Sequence, residues 1–192
     1  MKRIIVIFIA VVLLVASFGY VLFRNPSYDL DTLSKKIDVC YIEIEAIANE
    51  NNLGDIFWIT DEAKSLKKYH ISVNDTSNIY IEFSTNATEK QKGMGTFSVS
   101  YTVSDINTDN NFDVELFTAI VNSVSEKKIT TDFVIGFLNA PEEEYSVRKY
   151  GMTGEGYDIS KMYALDFGEN RIIGYNLTYD NYAELWFYGR VR

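Results

Sequence analysis

From Ile4 to Phe23 the chain runs for twenty residues without a charge, with Lys2 and Arg3 before the run and Arg24 directly after it. A helix of that length, rising about 1.5 Å per residue, matches the roughly 30 Å hydrocarbon core of a bilayer. The sequence therefore predicts a single N-terminal transmembrane helix, with residues 1–24 acting as a signal anchor. Everything after it is then held at a membrane surface. A cleaved secretory signal is the alternative, since a basic start and an apolar run serve both. Ser17 and Gly19 have the spacing of a cleavage site, yet Tyr20, Val21, Leu22 and Phe23 carry the apolar run past it, which favours retention. Bacterial lipid attachment needs a cysteine directly after the apolar segment, and the one cysteine, Cys40, lies well downstream.

Lys2, Arg3 and the amino terminus precede the span, whereas Arg24 follows it with Asp29 and Asp31 close behind. The positive-inside rule then places the N-terminus in the cytoplasm and the rest of this single-pass chain outside the cell membrane. Removing Lys2, Arg3 and Arg24 from 18 basic residues leaves 15 against 27 acidic, a net charge of about −12 for the exported part. Such a surface repels phosphate backbones and anionic lipid headgroups, so nucleic acid is not expected as a partner. With 24 of 192 residues in the anchor, about 168 remain, enough for one domain with its own core. A lone cysteine rules out an internal disulfide framework, so burial must supply the stability, and Cys40 reads as a small buried hydrophobe.

Asn25 and Pro26 end the anchor and open a hinge over residues 25–28. Asp29 or Asp31 then caps a helix running to about Asn51 and closed by Gly54. Leu33, Ile37, Cys40, Ile44 and Ile47 recur at spacings of three and four, which gives that helix one buried face. Asp55 to Ile59 reads as a short strand, and Thr60 or Asp61 as the cap of a brief helix reaching about Tyr69. Two strands follow. Ile79, Ile81 and Phe83 alternate with polar residues, as do Phe97, Val99, Tyr101 and Val103. Alternation of this kind belongs to an antiparallel sheet with one face on a core and the other in water.

A second helix is predicted from about Asn111 to Ser125, with Phe112, Leu116, Ile120 and Val124 on one stripe, and a third after the cap at Thr130 to Asp132. Pro141 opens a further helical turn, where Glu142, Glu143 and Glu144 suit the positive end of the helix dipole. Gly151 to Ser160 reads as a loop. Three closing strands follow, carrying Tyr163, Leu165 and Phe167, then Ile173, Tyr175, Leu177 and Tyr179, then Ala183, Leu185, Phe187 and Val191. The expected fold is therefore α+β: an antiparallel sheet with helices packed on one face, preceded by the membrane helix. Residues 29–192 form the extracytoplasmic domain. Its sub-halves, 29–105 and 106–192, share an order of helix and then strands without a residue-level repeat.

Residues 129–192 carry a family resemblance. Ile129-Thr-Thr-Asp-Phe-Val-Ile-Gly-Phe-Leu-Asn-Ala-Pro141-Glu-Glu-Glu, then a loop, Met162-Tyr-Ala-Leu-Asp-Phe-Gly168 and two strands, resembles the helix and β-meander unit of SmpA/OmlA and β-lactamase-inhibitor-like modules. The resemblance covers about a third of the chain. Asn139 stands where the family prefers glycine, and Lys-Ile-Thr replaces its Gly-Met-Thr start. It implies a small exported or membrane-attached domain that binds another protein and has no catalytic activity.

Catalytic readings find little to hold. His70 is the only histidine, which removes a multi-histidine metal site and leaves any triad dependent on that one residue. After Lys67, Lys68 and Tyr69 it reads as a residue serving a helix end. Acids are abundant, so a tethered hydrolase using paired carboxylates is the enzymatic alternative, and a structural subunit of a cell-surface assembly is a third reading. Asp105, Asn107 and Asp109 begin like a calcium loop, but Asn110 and Leu116 occupy the positions that need glycine and a bidentate glutamate. No metal or cofactor is expected. Asn-x-Thr sequons at Asn74, Asn86 and Asn176 matter only in a eukaryotic secretory route. On the last strand Trp186, Tyr188 and Arg190 alternate with Ala183, Leu185 and Phe187, which turns two aromatics and an arginine away from the helices. Those residue types are enriched in interface hot spots. They are the predicted binding residues, and a covering loop is the alternative. The leading expectation is a membrane-anchored extracytoplasmic interaction module whose partner is another protein near the bilayer.

Overall fold

The computed structural model describes residues 27–58, 65–87, 89–103, 112–139, 159–166, 168, 171–178 and 183–192. The predicted membrane helix over 4–23, the calcium-like loop over 105–111 and the acidic turn over 141–144 lie outside these residues. No helix among the described residues is long and apolar enough to cross a membrane. In chain order the described elements are α1 (Leu30–Glu50), β1 (Ile56–Trp58), β2 (Ser65–Asn74), β3 (Ser77–Thr85), β4 (Gly95–Val103), α2 (Phe112–Val124), α3 (Thr131–Asn139), β5 (Ile159–Asp166), β6 (Ile172–Thr178) and β7 (Ala183–Arg190). The α+β class with an antiparallel sheet stands.

Helix α1 starts where an acid can hold its free amides. Asp29 is the cap, and its Oδ1 accepts from the Thr32 amide at 2.7 Å. The other end differs from expectation. Asn52, at φ 53°, takes the left-handed position instead of Gly54. The Leu53 amide donates to the Ala48 carbonyl and the Asn52 amide to that of Asn49, the two bonds of a Schellman motif. Asparagine tolerates that backbone because its short polar side chain bonds locally. Leu33, Ile37, Cys40, Ile44 and Ala48 form the buried stripe, with Ile47 partly buried beside it.

The seven strands lie in the order β1-β2-β3-β4-β7-β6-β5, with every pair antiparallel. With the edge strand β1 set aside, the order is symmetric about the β4–β7 pair, since β2-β3-β4 on one side answers β5-β6-β7 on the other. Register fixes which side chains share a face: Ile71, Ile79 and Tyr101 lie in one row, and Tyr69, Ile81, Val99, Phe187 and Ile173 in the next. These residues cluster with the buried sides of the helices, so the core lies between the sheet and the helices.

Helix α2 is buried almost all round, with Val114, Phe117 and Val121 inside as well as Leu116, Ile120 and Val124. Phe112, expected on the inner stripe, is 39% exposed at the first turn. Helix α3 is capped by Thr130, whose Oγ1 accepts from the Phe133 amide at 3.1 Å.

Two further sequence expectations are corrected. The brief helix placed before Tyr69 is not formed over 65–69, because those residues begin β2 and pair with β3. Leu66 is an extra residue between the Ser65 and Lys67 pairings, a bulge that breaks the period of two and leaves Leu66 and Tyr69 at a helix-like spacing. The second is the predicted loop ending at Ser160, since Ile159 and Ser160 already belong to β5.

The last residues close the domain. The Val191 amide bonds to the Gly95 carbonyl and the Arg192 amide to that of Val124, at 3.2 and 3.1 Å. Lys36 Nζ donates to the Arg192 carbonyl oxygen at 2.8 Å, and the Arg192 guanidinium pairs with Glu43. Leu33 packs so closely on Gly95 that a Cβ there would lie 2.7 Å from its Cδ2, which is why glycine begins β4.

Candidate binding surfaces

The sheet face away from the helices is built by cross-strand register. Phe57, His70, Tyr80, Ser100, Trp186 and Gly174 are successive partners, one row across six strands. A second row is Lys68, Glu82, Ser98, Tyr188 and Ile172, and a third is Asn78, Thr102, Glu184 and Asn176. The structure thus brings the predicted Trp186, Tyr188 and Arg190 onto one face opposite the core. All three are half-buried.

Trp186 is shaped by what lies beside it. A Cβ on Gly174 would sit 2.1 Å from its Cε2 and Cζ2, so the indole lies directly over a residue that has no side chain. Across the strands, His70 stacks on Tyr80 with centroids 4.7 Å apart and planes 6° from parallel, and Phe57 flanks His70 at 6.3 Å. Phe57 and Tyr80 are 53% and 43% exposed, which makes them large apolar surfaces facing water. Between these two aromatic groups β4 presents Thr96, Ser98, Ser100 and Thr102. At roughly 4.8 Å per strand, Tyr80 and Trp186 stand about 10 Å apart across a floor of hydroxyls.

The polar groups of this face are ordered. Glu184 accepts from the Ser100 hydroxyl through Oε1 and from Asn176 Nδ2, at 2.8 Å, through Oε2. His70 Nε2 lies 2.9 Å from Asn78 Oδ1, and Lys68 pairs with Glu82 across the strands at 3.5 Å. His70 therefore sits in mid-strand on the open face and does not serve a helix end. Of the sequons, Asn74 accepts from its own Thr76 in the β2–β3 turn, and Asn176 is committed to Glu184.

A groove of about 470 Å³ lies between α1 and β1–β2, lined among the described residues by Asp38, Tyr41, Ile42, Ile56, Lys67 and Tyr69. Asp38, the acid among its described lining residues, is paired with Lys67. Burial, and after it the neighbouring Asp38 carboxylate, pushes the Tyr69 phenol up to about 12, so it stays neutral.

Catalytic chemistry gains little from this geometry. Cys40 lies in the core, where burial pushes its thiol up from its ordinary value, and the sheet separates it from His70. Among the described residues no three His, Cys, Asp or Glu side chains are grouped so as to hold a metal ion. Alternation along the sequence points to the aromatics of β7 but not to Phe57, Tyr80 and Gly174 as their neighbours on this face. Tyr80 was legible as the outward residue between Ile79 and Ile81, whereas the Gly174 seat depends on register between strands. No family model, curated protein or solved structure matches the chain.

Proposed function

We propose that this chain is a single-pass, membrane-anchored binding module that engages another protein through its open sheet face and performs no catalysis. The observation that carries the reading is the pair of aromatic groups on that face, Phe57–His70–Tyr80 and Trp186–Tyr188, set on a rigid antiparallel sheet. Aromatics held in place at a surface, whether exposed like Phe57 and Tyr80 or half-buried like Trp186 and Tyr188, lose little conformational entropy on binding, which is why they act as interface anchors. Arg190 extends the same face on β7. The apolar run over 4–23 supports the anchor, and the charge asymmetry around it favours a domain outside the cytoplasm. The likeness of residues 129–192 to protein-binding SmpA/OmlA and β-lactamase-inhibitor-like modules points the same way. The paired-carboxylate alternative draws no support from the described lining of the groove, where Asp38 is already bound to a lysine.

The test is site-directed photocrosslinking in the native membrane. A photoactivatable residue at Tyr80 or Tyr188 should give one discrete adduct, and the same residue at Glu45, on the exposed side of α1, should give none. Equal adducts from all three positions, or none from the sheet, would defeat the reading.

A further inference from the structure

We infer that the domain turns the β3–β4 loop toward the bilayer and sets Lys90 and Lys92 against anionic lipid headgroups. The inference rests on the anchor reading above, and adds which end of the domain meets the membrane.

The tether is short. Tyr28 is locked to the loop by a two-way bridge, its amide donating to the Gly93 carbonyl at 2.7 Å and the Gly93 amide returning a bond at 2.8 Å. Four residue steps separate Arg24 from Tyr28, a reach of about 14 Å at full extension. The polar layer on each side of the hydrocarbon core is itself roughly 5–8 Å thick. The loop residues next to Gly93 are therefore held at or near the headgroups. Lys90, Gln91 and Lys92 are all exposed there.

Charge is arranged to match. The bridge from Ser125 to Val191 and the bond from Val191 to Gly95 bring the turn after α2 to this same end. Among the described residues Lys36, Lys90, Lys92, Lys127, Lys128, Arg171 and Arg190 lie toward this end with Asp29, Glu89, Glu126, Asp132 and Asp166, while Lys35 pairs with Asp31 and Arg192 with Glu43. Among the described residues the far end carries Glu50, Asp55, Asp75 and Asp113. Helix α1, with 21 residues, is about 32 Å long, so the two ends are separated by several Debye lengths of about 8 Å. A domain with a net charge of about −12 thus keeps its exposed loop lysines within reach of the headgroups, while its acidic far end stands several Debye lengths away.

The experiment uses the full chain in phosphatidylcholine vesicles with and without phosphatidylglycerol, carrying a fluorophore at Gln91→Cys or at Asp75→Cys. Buried Cys40 is left in place, and the unsubstituted chain gives the labelling blank. Headgroup spin-labelled lipid should quench the Gln91→Cys probe several-fold more strongly than the Asp75→Cys probe. Quenching at position 91 should weaken in vesicles without phosphatidylglycerol and in the Lys90→Glu, Lys92→Glu double variant. Equal quenching at the two positions, or quenching at 91 that ignores both lipid charge and the lysine changes, overturns the inference while leaving the anchor intact. A chain that does not float with the vesicles overturns the anchor reading and the inference together.

Discussion

The Tyr101 hydroxyl donates a hydrogen bond to the Asp113 carboxylate, joining the middle of β4 to the first turn of α2. The tyrosine ring is fully buried and the acid half-buried. Asp113 also stands at the positive end of the helix dipole, so one carboxylate serves helix and sheet together. Tyr101→Phe removes the donor and leaves a partly buried anion short of one bond. It should lower unfolding free energy by about 2 kcal/mol, read from urea titration of circular dichroism. Asp113→Asn keeps an acceptor and should cost less. An unchanged midpoint in Tyr101→Phe would show that the bond adds nothing.

Alkaline pH should weaken the fold in a defined window. Tyr69, ordinarily at 10.0, is raised to about 12 by burial and then by Asp38, and Tyr101 is raised by burial and then by Asp113. For an acid whose folded value is raised, the unfolded chain releases its proton first. The contribution is therefore complete below pH 10 and is lost as pH climbs from 10 through about 12. Urea midpoints should be level from pH 7 to 9 and fall above 10, with a shallower fall in Tyr69→Phe. A Tyr69→Phe curve parallel to the parent would count against this assignment.

The seat of Trp186 can be tested by filling it. Gly174→Val places side-chain atoms where the indole now lies, because even a Cβ would approach to 2.1 Å. The indole must lift into water or the strands must separate. In a Trp58→Phe background, which leaves Trp186 as the single tryptophan, the variant should show red-shifted emission and greater acrylamide quenching. Overpacking of this kind costs about 1–3 kcal/mol. If the emission stays put, the indole does not rest on Gly174.

Legibility followed the range of the forces involved. The strands carrying Ile79 to Phe83 and Phe97 to Val103 could be read directly, because each needs one core face and the period of two records it. The α1 stripe from Leu33 to Ile44 was equally plain. Strand β2 was not, because the bulge at Leu66 scrambles the period and pairing with β3 overrides the local pattern. The outward set of Trp186, Tyr188 and Arg190 followed from alternation along β7. Its setting did not: the Gly174 seat, the His70–Tyr80 stack and the Glu184 clamp depend on which residue of one strand lies opposite which residue of another. A single strand holds no record of that register.

The two residues after β7 should matter more than their position suggests. Val191 is 6% exposed in the core, and its amide bonds to the Gly95 carbonyl at the start of β4. Arg192 bonds to the end of α2 through its amide, to Lys36 of α1 through its carbonyl oxygen, and to Glu43 through its guanidinium. One dipeptide thus links β4, α1 and α2. Deleting both residues removes a buried valine, worth about 1.5–3 kcal/mol, and hydrogen bonds of about 1 kcal/mol each. A total loss of about 3–5 kcal/mol is expected, large against the 5–15 kcal/mol of a typical domain. Arg192→Ala alone removes one partly exposed ion pair and should cost under about 1 kcal/mol. If the deletion is no worse than Arg192→Ala in the same urea titration, Val191 and the backbone bonds are not the source of the closure.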